Sequence, residues 1–147
     1  MRRRGHLRCR MILSAIALLA LSLLFGGMAF FAAGVAPLVF TRLPPEWAGR
    51  FIRQLFPVYY LWVLACSAAA AVALLPLRPA DAAVMALVAG LTAWLRQRLM
   101  PRINRLSDAA QAGDAAAKMR FDRAHRLSVG LNLVQMVAAA VVLVRFA

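Results

Sequence analysis

Four long stretches without a charged residue divide the chain. They run over residues 11–41, 54–77, 82–95 and 127–144. A charged side chain at the centre of a bilayer is costly, so uncharged stretches of this length indicate membrane spans. At about 1.5 Å per residue, a helix needs about 20 residues to cross the hydrocarbon layer. The first two stretches are long enough, the fourth is nearly so, and the third has to continue past Arg96 and Arg98.

Prolines set the predicted limits of the helices. Pro37 lacks a backbone N–H and is expected to bend or end the first helix, and Pro101 is expected to stop the third. We therefore predict an all-α fold, a polytopic membrane helical bundle that forms a single domain with four transmembrane helices. These helices are placed near residues 12–36, 56–77, 82–100 and 126–145. Short connections predict antiparallel neighbours, with a tight hairpin over residues 78–81.

The connections between the spans carry predicted structure of their own. Pro45 followed by Glu46 is a helix-start signal, and the apolar spacing after it predicts a short amphipathic helix near residues 45–54 at the membrane interface. The longest connection, residues 96–126, predicts a surface helix that starts at Ser107 and is interrupted at Gly113. Aromatic residues open the second span and predict an interfacial belt, with a ligand groove as the alternative: Phe56, Tyr59, Tyr60 and Trp62.

Composition excludes two classes of protein. The sequence is 64% hydrophobic and 16% charged, which is too apolar for a soluble globular domain or a disordered chain. The net charge of +13 comes mainly from arginines between the apolar stretches, where basic residues face anionic lipid headgroups. We expect a multi-pass protein of the cell membrane, a bacterial inner membrane, whose partner is the lipid bilayer and not nucleic acid. A homo-oligomer or a second membrane protein is the further partner considered.

The distribution of basic residues leaves two hypotheses about where translation of the chain starts. With the N-terminus outside, the cytoplasmic side, which then includes residues 96–126, holds 11 basic residues and the other side seven. Five of those seven lie in the basic segment 1–11, which would have to cross the membrane. A start of translation at Met11 would remove the conflict, and N-terminal sequencing tests that hypothesis. The first apolar stretch is too long for a signal peptide, so we expect a retained span.

Four polar residues at the fourth span share one face of a helix. His125, Ser128, Asn132 and Gln135 follow spacings of three, four and three residues. Polar side chains inside a span avoid lipid, so this face is expected to meet other helices or a water-filled cavity. One interpretation is a polar lining for a solute or proton path. The other is interhelical hydrogen bonding that holds the bundle together.

The residue patterns predict neither an enzyme nor a bound cofactor. Asp122, His125 and Ser128 occur in the order acid, imidazole, hydroxyl, but their three-residue steps place them on one rigid helix face without a nucleophile elbow. Metal ligation has few candidates beyond the pair His6 and Cys9. Three methionines are soft-ligand candidates for copper(I), although such residues are typical core filler: Met28, Met85 and Met136. We expect no catalytic residue, no metal and no cofactor.

Several short motifs follow one another in an order typical of one family. They are Ala36-Pro37-Leu38-Val39-Phe40, Ala48-Gly49, Leu55-Phe56-Pro57-Val58-Tyr59-Tyr60, Leu99-Met100-Pro101 and Phe121-x-x-x-His125-x-x-Ser128-x-x-x-Asn132-Leu133. Together they resemble the transmembrane protein 205-like family over about residues 12–144. The resemblance implies a four-helix integral membrane protein without an established molecular activity, whose eukaryotic member is linked with resistance to a platinum drug. The positions that the resemblance carries over are Pro37, Phe40, Gly49, Phe56, Pro57, Tyr59, Pro101, His125, Ser128 and Asn132.

Three functions stay open at this point. The first is transport of a small solute or resistance, with the polar face of the fourth span lining a cavity. The second is a structural or partner-binding membrane protein that uses the same face for packing. The third is a copper or haem-linked redox protein, as in distant relatives of the family, but this chain lacks the intramembrane histidines that those relatives have in their first helices.

Overall fold

Four continuous helical rods make up the fold. The computed structural model describes the backbone from residue 2 and the side chains from Leu7 to Ala147, and over this range it contains no strand. The α-helices are α1 (Arg2–Phe30), α2 (Ala36–Arg42), α3 (Pro45–Leu74), α4 (Pro79–Trp94), α5 (Met100–Gln111) and α6 (Ala115–Phe146). Two π-helical turns join α1 to α2 and α4 to α5, so these pairs form single rods.

The π turns explain why two prolines do not end their helices. The turns span Phe31–Val35 and Leu95–Leu99, and each ends two residues before a proline, Pro37 or Pro101. A proline ring collides with the carbonyl group four residues earlier, and a wider turn at that carbonyl relieves the collision. Helical structure therefore continues to Arg42 in the first rod and to Gln111 in the third. The predictions of a first helix ending near residue 36 and a third stopping at Pro101 were wrong.

The start of α3 is confirmed, but the separate helix near residues 45–54 is not. Pro45 and Glu46 occupy the first turn of α3, and the helix runs past Pro57 without a break to Leu74. Nη2 of Arg53 donates to Oδ1 of Asp108 at 2.7 Å and to the carbonyl oxygen of Asn104 at 2.8 Å. These bonds hold the first turns of α3 against α5, so the segment extends α3 instead of forming a helix of its own.

The connections between the rods are short. The break at Gly113 is confirmed: its φ is 97°, and the side chain of Asp114 caps α6 by accepting the N–H of Ala117 at 3.0 Å. Ser107 lies inside α5, so the predicted helix start there was wrong. The tight hairpin between the second and third rods is also confirmed, because α4 begins at Pro79 after a short turn.

The core lies where the four rods meet. α3 packs between α1 and α4, and α6 packs against α5, α1 and α4. The buried residues of α1 recur at helical spacing and are Ala17, Ala20, Leu21, Leu24 and Met28. Large apolar side chains also cover the outside, and Val72, Leu87 and Val144 are more than 70% exposed. Within the described part of the chain, three segments are long and apolar enough to cross a membrane: Leu7–Arg42, Pro45–Leu74 and Ala115–Phe146.

A buried carboxylate ties the end of α6 to the α3–α4 hairpin. Asp81 is 2% exposed, and its oxygens lie 3.3 Å from Nη1 of Arg145 and 3.6 Å from Nη1 of Arg78. Arg78 also donates to the carbonyl oxygen of Arg145 and lies over the ring of Phe146. We call this end of the bundle the hairpin end. The opposite end, where α2 meets α3 and α5 meets α6, is the α5 end.

Gly27 of α1 is expected to tolerate no side chain. A Cβ there would lie 2.6 Å from Nε1 of Trp62, which donates to the carbonyl oxygen of Leu23 at 3.3 Å. Gly27→Ala therefore displaces the indole, and we expect the free energy of unfolding to fall by about 1 kcal/mol. Gly26→Ala is the matched control, because nothing lies within 4 Å of its Cβ position. Thermal unfolding in detergent compares the two variants, and equal stability would contradict the close approach.

Candidate functional site

A hydrogen-bonded polar cluster joins the middle of α3 to α6. The Tyr59 hydroxyl donates to Oδ1 of Asn132 at 3.1 Å, and Nδ2 of Asn132 donates to the Tyr60 hydroxyl at 3.3 Å. The Tyr60 hydroxyl also pairs with Oγ of Ser128 at 3.1 Å. Nδ2 of Asn132 further donates to the carbonyl oxygen of Ser128 at 3.1 Å, one turn earlier in α6. Asn132 thus organises two tyrosines of α3 from the facing helix.

A large cavity of about 290 Å³ opens beside this cluster. Its walls come from α1, α2, α3 and α6, and most of the lining side chains are apolar. The polar groups concentrate on one side, where Tyr59, His125, Ser128 and Asn132 face the cavity. The remaining lining residues are Met28, Phe31, Ala32, Ala36, Phe40, Ile52, Phe56, Val129, Leu133 and Met136. A cavity of this size lies at the lower end of the range for small-molecule sites.

A small cavity of about 150 Å³ adjoins the large one toward the α5 end. The two share five lining residues: Phe40, Ile52, Phe56, His125 and Ser128. The small cavity is more polar, because Arg53, Asn104 and Ser107 line it together with Tyr60. Its other residues are Gly49, Met100, Ile103 and Phe121. We call the two cavities together the cleft.

Aromatic rings frame the boundary between α1 and α3. Phe31, the first residue of the π turn, stacks on Tyr59 with ring centroids 4.3 Å apart and meets Phe56 edge-on at 5.5 Å. Phe56 also lies 5.5 Å from the ring of Tyr60. Phe31, in the π turn that precedes Pro37, therefore contacts Tyr59 and Phe56 of α3. Tyr59 and Tyr60 are 9% and 2% exposed, so these residues line the cleft and do not form the interfacial belt favoured by the sequence.

The predicted polar face of α6 divides into two parts. Its first three members, His125, Ser128 and Asn132, line the large cavity. Gln135 does not: it is 1% exposed, and its Nε2 donates to the carbonyl oxygen of Val88 at 3.1 Å and to Oγ1 of Thr92 at 2.8 Å. Gln135 therefore binds α4, whereas Asn132 binds α3 and faces the cleft.

The positions that the family resemblance carries over fall into two groups, those that line a cavity and those that do not. Phe40, Phe56 and Tyr59 line the large cavity, and Gly49 lines the small one. The prolines Pro37, Pro57 and Pro101 line neither cavity. Pro37 and Pro101 instead follow the two π turns.

Sequence reasoning missed the polar side of the small cavity. Arg53, Asn104 and Ser107 lie in the predicted connections between spans, and the sequence pattern assigned none of them to a binding site. Their contact depends on the Arg53 side chain reaching from α3 to α5, and the two residues of the Arg53–Asp108 ion pair are 55 positions apart. The sequence contained one weak indication of this ion pair, because Asp108 is one of only five acidic residues in the chain.

The chemistry available in the cleft favours binding. His125 is exposed, and its ring stacks on Phe121 with centroids 5.8 Å apart. Among the described side chains, no three of His, Cys, Asp and Glu come close enough together to hold a metal ion. His6, one of the two residues that the sequence offered as candidate metal ligands, lies outside the described side chains. Met28 and Met136 line the large cavity, whereas Met85 is buried elsewhere in the core.

One family model matches the chain. It is described as a domain of unknown function, DUF4149, and the match covers residues 19–112. The matched region includes part of α1 and all of α2 to α5, which supply Tyr59, Tyr60 and Arg53 to the cleft. No curated protein and no solved structure matches the chain.

Proposed function

The chain belongs to the DUF4149 family, which carries no assigned activity, and we propose that it is a multi-pass membrane protein that binds a small amphipathic molecule in the cleft. The observation that carries this proposal is the segregation of polarity in the large cavity. Apolar side chains form most of its wall, while Tyr59, Ser128 and Asn132 collect at one side. Apolar walls with a few convergent polar groups are typical of small-molecule sites.

Placement in a membrane is part of this proposal. The membrane-crossing parts of the longer helical rods would lie near residues 12–36, 56–77, 82–100 and 126–145, and lipid would surround the apolar exterior of the bundle. The third span is the weakest of the four, because α4 has only 16 residues before its π turn. Residues 96–126 would then lie on the cytoplasmic side of the inner membrane, where basic residues are enriched.

The wider relationship is also a proposal. The ordered motifs relate the chain to the transmembrane protein 205-like family, and within that relationship the cleft would serve transport of a small solute or resistance. The protein would not be an enzyme under this proposal. The hydroxyl of Ser128 is engaged with Tyr60, and Asp122 does not line either cavity, which supports a binding role for this face.

Two alternatives have support from particular residues. Gln135 supports a structural or partner-binding protein, because it is buried and bonds only to α4 among the described residues. Met28, Met136 and His125 line one cavity and support a copper or haem-linked redox protein. An absorbance spectrum and elemental analysis of the purified protein test the redox alternative, which predicts a Soret band or stoichiometric copper.

The binding proposal is tested by the molecules that accompany the protein. We expect protein purified in a mild nonionic detergent to carry a stoichiometric amphiphile that organic solvent releases and mass spectrometry identifies. Ala32→Phe places a ring in the large cavity, and we expect it to reduce the bound amount to about half or less. Ala33→Phe is the matched control, because Ala33 is exposed in the same π turn and does not line the cavity.

The two variants should differ only in binding. Equal thermal stability with selective loss in Ala32→Phe supports the cleft as the site. Equal amounts of amphiphile in both variants, or none in the wild type, would contradict the proposal.

A further inference from the structure

The small cavity adds a charged end to the cleft. We propose that the cleft takes one anionic amphiphile, with its negatively charged headgroup beside Arg53 in the small cavity and its apolar tail in the large cavity. This inference rests on the function proposed above and names the class of ligand.

The polar side chains of the small cavity supply hydrogen-bond donors. Arg53 contributes a guanidinium, Asn104 an amide, Ser107 a hydroxyl and His125 an imidazole. Neither cavity is lined by Asp or Glu among the described residues. A phosphate or carboxylate headgroup would therefore meet donors and the Arg53 guanidinium, whose Asp108 partner binds Nη2 and lines neither cavity.

Arg53 is held in place with part of its guanidinium unused. Its Nη2 makes the bonds to Asp108 and to the carbonyl oxygen of Asn104. Within the described residues, Nε and Nη1 of Arg53 form no hydrogen bond. The unused N–H groups of Nε and Nη1 are available to a phosphate or carboxylate as separate charge-assisted hydrogen bonds. The side chain is 42% exposed, so a ligand reaches it without displacing a helix.

The surrounding charge favours an anion over a cation. The basic residues of the α5 end outnumber the acidic ones, which are Glu46, Asp108, Asp114 and Asp122. The basic residues are Arg42, Arg50, Arg53, Arg96, Arg98, Arg102, Arg105, Lys118, Arg120, Arg123 and Arg126. A positive potential at this end concentrates anionic lipids and disfavours cationic headgroups.

The aromatic residues do not form an open cage for a quaternary ammonium group. Phe31 and Tyr59 stack on each other, so each ring covers one face of its partner. Recognition of a quaternary ammonium group requires open aromatic faces. The rings are therefore better suited to pack against an acyl chain.

The two cavities are arranged in the order that a membrane lipid requires. The small cavity lies toward the basic α5 end, and the large cavity lies deeper among the apolar helices. A lipid entering from the proposed cytoplasmic leaflet would keep its headgroup near the membrane surface. Its tail would pass His125 and Ser128, which line both cavities, and reach the level of Met28 and Met136.

A competition between two lipids tests the headgroup assignment. The protein in mild nonionic detergent is mixed with equal amounts of phosphatidylglycerol and phosphatidylcholine that carry identical acyl chains, and native mass spectrometry counts the bound lipids. We expect phosphatidylglycerol to be preferred by about fivefold, the effect of one nearby arginine. Arg53→Gln should reduce the preference to near unity while phosphatidylcholine binding is kept.

Two matched variants separate the headgroup role of Arg53 from its ion pair. Asp108→Asn breaks the same ion pair but keeps the arginine, so it should retain or increase the preference for phosphatidylglycerol. Arg98→Gln removes an exposed arginine that lines neither cavity, and it should leave the preference unchanged. Equal loss in Arg53→Gln and Asp108→Asn would overturn the assignment, because both would then act through the ion pair.

The other outcomes distinguish this inference from the proposed function. Binding of both lipids without preference overturns the anionic headgroup but leaves the amphiphile site in place. Preference for phosphatidylcholine overturns the anionic headgroup and indicates a site for a quaternary ammonium group. Displacement of phosphatidylglycerol by excess inorganic phosphate would indicate a site for free phosphate and overturn the assignment of a lipid as the ligand. Binding of neither lipid overturns this inference, and the amphiphile released from the purified protein then tests the proposed function separately.

Discussion

A chain in which Arg78 and Arg145 are both replaced by leucine is expected to lose about 3–5 kcal/mol of its free energy of unfolding. The two arginines are the cations paired with Asp81, whose side chain is only 3% exposed. Their removal leaves a carboxylate buried at the hairpin end without a positive partner. Breaking a buried ion pair from one side is costly because the remaining charge has neither water nor a counter-charge.

Replacing the carboxylate instead of its two arginines is expected to cost much less stability. Asp81→Leu leaves Arg78 and Arg145, which are 43% and 61% exposed and can turn toward solvent or headgroups. We expect Asp81→Leu to cost about 1 kcal/mol and its addition to the double variant to restore most of the lost stability. Denaturant unfolding in detergent at neutral pH measures all three chains.

A second pair of arginines provides the control for the double variant. Arg98 and Arg102 are exposed and form no ion pair within the described residues. Their joint replacement by leucine should change the free energy of unfolding by about 0.5 kcal/mol or less per site. A loss as large as that of the Arg78 and Arg145 variant would mean that hydrophobic substitution itself destabilises the protein, and the role of Asp81 would be contradicted.

Asn132→Leu is expected to reduce both stability and binding. The substitution removes the bonds from Asn132 to Tyr59, Tyr60 and the carbonyl oxygen of Ser128. Interhelical hydrogen bonds in membrane proteins contribute about 0.6 kcal/mol each on average, so we expect a stability loss of about 1–2 kcal/mol. The polar side of the large cavity also loses the amide that holds the hydroxyls of Tyr59 and Tyr60 in place. We therefore expect amphiphile affinity to fall by about tenfold.

Gln135→Leu is the matched control for Asn132→Leu. Gln135 is on the same face of α6, but it binds Val88 and Thr92 of α4 and lines neither cavity. We expect a loss of stability similar to that of Asn132→Leu, with amphiphile binding unchanged. Equal losses of binding in both variants would indicate that binding follows the stability of the bundle, and unchanged binding in both would remove the polar face from the site.

The helical rods could be predicted because uncharged stretches, prolines and glycines set helix positions through residues close in the sequence. Uncharged stretches located the long helices, Pro45 marked the start of α3, and Gly113 marked the break before α6. The spacing of Ser128 and Asn132 placed them correctly on one face of α6. Each of these features depends on residues within a few turns of one another, so the sequence alone carries the information.

The remaining features depend on which helices meet. The identity of Pro37 alone does not decide whether it ends a helix or is accommodated by a π turn, and Phe31 of that turn contacts Tyr59 of another rod. An aromatic residue near the end of a span has the same pattern whether it faces lipid or α6, so the inward orientation of Tyr59 and Tyr60 could not be predicted. The position of Asp81 beside Arg145 likewise requires two segments that are far apart in the chain.

Photochemical labelling of the protein by a lipid tests the central claim, that the cleft holds an amphiphile, most directly. Phosphatidylglycerol with a diazirine near the end of one acyl chain is bound to the protein in mild detergent, irradiated, and mapped by mass spectrometry of peptides. We expect labels around Phe31 and Met136 in the large cavity, and these labels should decrease in Ala32→Phe but persist in Ala33→Phe. Labels confined to outward residues such as Val72, Leu87 and Val144 would contradict it.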